Sequence, residues 1–181
     1  MKSIQIAALL IFLLVLSIVK TSVFALPNLQ ETQEARETKT SSIVYTLPFP
    51  GILPNHPLYF LKTLRDTLIE KMITNDVKKA EFYILQADKR LQMSIVFVGS
   101  DKKELAEAMR SDAFMYREKS FTMLTKAAAK NVAVPRYVLE KLLVSAKKHE
   151  EVLQDMVVDT TPVTNLISKI EALLKEEIDK K

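Results

Sequence analysis

The chain has 181 residues, with no cysteine, no tryptophan and only two glycines. That composition excludes disulfide staples, thiolate metal sites and thiol catalysis, and it favours helices over sheets, whose turns consume glycine. The formal charge is +4, but Lys2 and Lys20 are the only charged residues before position 26, leaving 24 basic against 22 acidic residues beyond it; this balance gives no reason to expect a nucleic-acid partner.

Residues 1–25 carry the pattern of a secretory signal. Lys2 supplies the positive start, residues 4–19 are an uncharged and largely apolar run, and Val23-Phe24-Ala25 offers a cleavage site after Ala25. An uncleaved anchor is the alternative, although the run is shorter than the roughly 20 residues that cross a bilayer. Either way, residues 26–181 are expected outside the cytoplasm: secreted, periplasmic or anchored facing outward. Residues 26–42 are polar and read as a flexible linker, and residues 43–181 as the helical domain.

The domain opens on a proline-rich lead-in, residues 43–57, in which Pro48, Pro50, Pro54 and Pro57 surround Gly51. Proline fixes φ and removes an amide donor, so an extended path is expected. Gly51 after Pro50 fits the position of a type II turn that needs positive φ. Pro57 suits the first turn of a helix, with Asn55 or His56 as its cap. Tyr45, Phe49, Tyr59 and Phe60 are expected to pack this segment onto the helices behind it.

Periodicity predicts four to five antiparallel helices. The first spans 57–72, with Leu58, Leu61, Leu64 or Arg65, Leu68 and Met72 on one face. The second spans 76–98 after a Thr74-Asn75-Asp76 cap, and its seam is Val77, Ala80, Ile84, Ala87, Leu91, Ser94 and Val98. Gly99 is its expected left-handed terminator, and Asp101 with Glu104 has capping-box spacing for the third helix. That helix spans 102–130, with a stripe of Leu105, Met109, Ala113, Tyr116, Ser120, Leu124 and Ala127, and ends at Asn131. Pro135 opens a fourth, to 158, with Leu139, Leu142, Ala146, His149, Leu153 and Met156 in line. Thr161-Pro162 opens a fifth, to 178. The fold class is therefore all-α, a bundle of helical hairpins preceded by an extended lead-in.

LPFPGILPNHPLYFLK at 47–62, followed by DVKKAEFYILQADKRL at 76–91, resembles the exported bacterial family known as domain of unknown function 5667. The resemblance rests on Pro50-Gly51, Pro57-Leu58-Tyr59, Leu61-Lys62, Asp76, Lys79-Ala80-Glu81 and Ala87-Asp88-Lys89-Arg90-Leu91 and covers about residues 45–125. Val77 stands where a proline is common, and Gln92-Met93 replaces an acidic and alanine continuation. The resemblance implies an exported helical domain and no established reaction.

Candidate chemistry is thin. His56 reads as a capping or surface histidine, and His149 as a satisfied seam residue. Position 146 is Ala, so the Glu-x-x-His signature of di-metal bundles is absent and no metal or cofactor is expected. Ser145 and His149 are one turn apart with no acid evident in sequence to support them. The residues singled out are structural anchors: Pro50, Gly51, Pro57, Tyr59, Asp88 and Arg90, with Arg90 reaching a carbonyl of the lead-in. The expected role is binding rather than catalysis, with a protein or envelope component as partner and membrane contact only through an uncleaved N-terminal segment. A periplasmic chaperone-like helical module is one alternative; a hydrolase with an unrecognised site is another.

Overall fold

The computed structural model describes residues 43–179; the expected signal segment and linker lie outside them. Among the described residues there are five α-helices and no strand: α1 (Tyr59–Met72), α2 (Asp76–Gly99), α3 (Lys103–Ala129), α4 (Arg136–Asp155) and α5 (Thr161–Asp179). No described helix is long and apolar enough to cross a membrane.

The boundaries follow local chemistry, with several departures from expectation. Asn75 caps α2 as its side chain accepts the Lys78 amide at 3.0 Å. Gly99 stays helical, and the left-handed residue is Asp101, at φ 55°. A short polar residue tolerates that conformation, and it lets the Lys102 amide close onto the Phe97 carbonyl at 2.9 Å. Asp101 therefore ends α2 instead of capping α3. Asn131, also at φ 55°, ends α3 in the same way, with the Val132 amide on the Ala127 carbonyl. Pro57 lies in a turn before α1 and not in its first turn; the His56 ring accepts the Leu58 amide there. α5 is capped from upstream, by Asp159 accepting the Thr161 amide at 2.9 Å.

Pairings across the helices fix their directions. Asp76 meets Lys130 while Arg90 meets Asp112, so α2 and α3 run antiparallel. Glu150 meets Thr164 while Lys147 meets Glu171, so α4 and α5 do too. Glu81 faces Tyr137 while Asp88 faces Ser145 and His149, which sets α4 parallel to α2. Two hairpins thus pack on one apolar core, built from Val77, Ala80, Ile84 and Leu91 of α2, Ala113, Leu124 and Ala127 of α3, Leu139, Leu142 and Ala146 of α4, and Leu166 and Ile170 of α5. A smaller cluster of Met93, Phe97, Ala106 and Met109 sits near the α2–α3 turn and takes in Leu53 and Tyr59.

α1 departs from this plan. Its only buried residues are Lys62 and Asp66. The apolar stripe expected to pack inward, Leu61, Leu64 and Leu68, is exposed, with Phe60 60% and Met72 80% accessible. The helix turns a polar face to the bundle and an apolar face to solvent, the reverse of the usual arrangement for a surface helix.

Candidate functional site

Two polar centres lie on opposite sides of α2, and the lead-in reaches both. Positions 88 and 90 are about 200° apart on a helix, so Asp88 and Arg90 serve different neighbours.

Asp88 faces α4. Its Oδ1 accepts the Ser145 hydroxyl at 2.6 Å and meets His149 Nε2 at 2.9 Å, and its Oδ2 accepts the Tyr45 hydroxyl at 2.5 Å. Ser145 and His149 are one turn apart, so one carboxylate oxygen serves both. The acid missing from sequence was Asp88, invisible until α4 is laid parallel to α2. Burial pushes the Asp88 carboxyl above its ordinary range, and the hydrogen bonds from Ser145 and Tyr45 and the charge of Arg117 oppose that shift. Tyr45 is raised too, by burial and then by its bond to Asp88.

This trio is not a nucleophilic relay. In such a relay histidine stands between hydroxyl and acid. Here the Ser145 hydroxyl donates its hydrogen bond to Asp88 directly, and the side chain is fully buried. His149 has its Nε2 on Asp88, and its Nδ1 has no hydrogen-bond partner among the described residues.

Arg90 faces the other way. Its guanidinium lies between the rings of Tyr59 and Tyr116, 5.6 and 5.8 Å from their centroids, and Nη1 donates to the Tyr59 hydroxyl. Nε lies 3.6 Å from Asp112. The carbonyl tether expected of Arg90 belongs to Lys62, whose ammonium donates to the Pro50 carbonyl at 3.1 Å and the Ile52 carbonyl at 3.4 Å. The reason is placement: Lys62 sits on the inward face of α1 beneath the turn at Gly51 (φ 73°), whereas Arg90 is held by the two rings. Burial pushes Lys62 down to about 8, with the charge of Arg90 adding to the effect. The ladder continues through Lys119, 5.3 Å from the Tyr116 centroid and 5.6 Å from that of Tyr83, whose hydroxyl donates to Glu70 at 2.6 Å. Cation–π contacts and polar bonds therefore seat α1, which explains why its leucines are left outside.

The family model described as Domain of unknown function (DUF5667) matches residues 51–162, more than half of the chain. The chain belongs to that family. The DUF5667 match begins at Gly51, within the turn that Lys62 holds, and runs through α4 to the first turn of α5, further than the motifs of the lead-in and α2 alone indicate. No curated protein and no solved structure shows significant similarity to the chain.

Of the residues singled out in sequence, Pro50 meets Lys62 and Tyr59 meets Arg90, Gly51 supplies the positive φ between the two carbonyls that Lys62 holds, and Asp88 anchors Tyr45 on the other side. Pro57 is exposed and joins neither centre. Of the four aromatics expected to pack, Tyr45 and Tyr59 do so, but Phe49 and Phe60 point outward. Sequence reading missed Arg117. The steps Ala113, Arg117, Ser120, Leu124 and Ala127 alternate by four and three, so an arginine belongs to the buried stripe where Tyr116 was expected. Arg117 is 1% exposed, and neither its Nε nor its Nη1 has a hydrogen-bond partner among the described residues. Burial pushes it down to about 10, and the charge of Asp88 opposes the shift.

Proposed function

We propose that this chain is an extracytoplasmic binding module, not an enzyme, and that the envelope component it engages is the membrane surface, met by the outward face of α1 and the adjoining lead-in. The observation that carries this reading is the inverted helix. Phe49, Ile52, Leu58, Phe60, Leu64, Leu68 and Met72 expose their apolar groups on neighbouring segments. Such a surface favours an apolar partner phase.

Charge favours lipid over protein as that phase. Residues 43–75 contain two acids, Asp66 and Glu70; Asp66 is buried beside Arg65, and Glu70 is held by Tyr83 and Lys119. The exposed cations around the apolar stripe are Lys71 and Arg65, the latter paired with Asp66. An apolar helical face flanked by cations suits anionic headgroups above acyl chains. The N-terminal apolar run read in the sequence would hold residues 26–181 near a bilayer before cleavage and permanently without it. The buried, acid-bound hydroxyl of Ser145 supports a role without nucleophilic chemistry.

The test is co-sedimentation of residues 26–181 with vesicles of phosphatidylcholine, with and without phosphatidylglycerol. The expected result is retention on the anionic vesicles, released by salt and abolished in Leu64→Asp/Leu68→Asp. A protein that stays in the supernatant, or a double variant that sediments like the parent, overturns the reading. Suppressed aggregation of a model client without vesicle binding would transfer the same face to the chaperone-like alternative.

A further inference from the structure

A cleft shares no residue with the α1 face. It lies between α3, α4 and the turn that leads into α5, with a volume of about 170 Å³. Leu91, Ala113, Phe114, Leu153, Pro162 and Val163 make its walls apolar. Arg117, His149 and Arg110 also line it; the first two are fully or almost fully buried, and Arg110 is half-buried.

The polar groups of this cleft are unfinished. Arg117 presents unpartnered Nε and Nη1 atoms, and His149 an unpartnered Nδ1, among the described residues. Asp88 lies close enough to Arg117 to influence its charge, yet no ion pair within 4.0 Å joins them. Its oxygens are occupied by Tyr45, Ser145 and His149. A buried guanidinium with two of its three nitrogens unused is expensive, and replacing it by an apolar side chain would ordinarily serve a fold better. Retaining one beside a cleft makes sense when something in the cleft accepts its hydrogen bonds.

The walls specify that acceptor. A fully hydrated anion such as phosphate would lose its water chiefly to leucine, phenylalanine and proline, since the further side-chain donors of the lining are the half-buried Arg110 and the exposed Ser111. A carboxylate on an apolar body meets both halves of the site: its oxygens suit a guanidinium, and its body suits the walls. Space also limits it, since an apolar cavity of about 150 Å³ accommodates benzene. Asp159, ionised and bonded to the Thr161 amide at the rim, repels a carboxylate there, which orients the acid group toward Arg117. We propose that this cleft binds a small apolar monocarboxylate, with a body of about six carbons, whose carboxylate is anchored by Arg117 and flanked by His149.

Titration calorimetry on residues 26–181 tests this, because the described residues form a compact unit of their own. Hexanoate is compared with hexan-1-ol and hexylamine, which keep the apolar body and change only the head. The expected result is saturable one-to-one binding of hexanoate, with roughly tenfold or greater preference over both analogues. Arg117→Met should erase the preference over the alcohol while leaving the apolar body its walls. Should that buried substitution prevent folding, Ser111→Trp at the exposed rim should block all three ligands in a folded protein. Equal binding of acid and alcohol by the parent chain, a preference for the amine, or no binding by any of the three overturns the proposal. Hexanoate affinity unchanged in Ser111→Trp does so as well. None of these outcomes bears on vesicle binding, so this site and the α1 face stand or fall separately.

Discussion

The α2–α3 hairpin and α1 carry the same kind of sequence signal and use it in opposite ways. Both show apolar residues at steps of three and four. In α2 the stripe faces inward, and Ala80, Ile84, Ala87 and Leu91 are all but inaccessible. In α1 the stripe faces out, because the other side offers Tyr59, Lys62 and Glu70 to partners already waiting on α2, α3 and the lead-in. Amphipathic periodicity names a face of a helix and leaves open which phase that face meets. The partners of the polar face decide. α1 is too short to persist by propensity alone, and its attachment rests on a ring–cation ladder and a lysine strap instead of buried area.

The contrast is sharpest under truncation. Leu91→Ala and Leu142→Ala should each lower stability by about 2–5 kcal/mol, because both leucines are buried in the shared core. Leu64→Ala and Leu68→Ala remove the same atoms from an exposed face and should change stability by less than about 0.5 kcal/mol. Urea unfolding of the four variants is the measurement. A loss of 2 kcal/mol or more at Leu64 would mean that α1 is covered by the chain itself, and would remove the basis for a docking face.

How much of this was readable beforehand follows from the same distinction. The seams of α2, α4 and α5 were legible because each is mainly apolar and faces the core, except that Val98, predicted at the end of the α2 seam, is exposed. The stripe of α1 was legible as a stripe, but its direction was not, since direction depends on tertiary partners. The polar steps Lys62, Asp66 and Glu70 were the available clue, four residues apart along one side. Asp88, Ser145 and His149 could not be joined without knowing that α4 lies parallel to α2. Arg117 hid within the α3 periodicity because a charged residue is not ordinarily entered in an apolar stripe. At the α2–α3 turn, the rule that favours glycine for left-handed backbone pointed to Gly99, and the chain used Asp101 two residues later.

The strap offers a subtler break, through pH. Burial holds Lys62 at about 8, against 10.5 for an ordinary lysine. Between those values the unfolded chain carries a proton on Lys62 that the folded chain has released. The unfolded state then binds more protons, so stability rises with pH across that window. Burial raises Tyr45 and Tyr83, and this acts in the opposite sense above pH 10, where tyrosines of the unfolded chain ionise. The Lys62 contribution is therefore read between about pH 8 and 10. Thermal unfolding across that range should show a rise in the parent that is absent in Lys62→Met. In the same variant, amide hydrogens of residues 45–58 should exchange faster at neutral pH while those of α2 and α3 keep their protection. Equal loss of protection throughout would show that the strap and the hairpin melt as one unit, and that the division between them is not energetic.

The smallest expected effect lies where α4 hands over to α5. Val157 has φ 57° and is 93% exposed. Its position lets the Val158 amide reach the Leu153 carbonyl at 3.0 Å, closing the end of α4, but a β-branched residue is a poor choice for left-handed backbone. The conformation costs roughly 1–2 kcal/mol beyond what glycine experiences. Glycine in turn gives the unfolded chain more freedom, which offsets part of that gain by about 0.4–1 kcal/mol. Val157→Gly should therefore stabilise by no more than about 1.6 kcal/mol, a few degrees in melting temperature for a domain of this size. Val157→Asn, which tolerates the left-handed region without added chain freedom, should match or exceed it. The neighbouring Val158 and Asp159 line the cleft at Arg117, so this pair of variants also asks whether the strained corner holds that rim in place. Stabilisation with unchanged hexanoate affinity would make the strain incidental, whereas stabilisation with weakened affinity would make it part of the site.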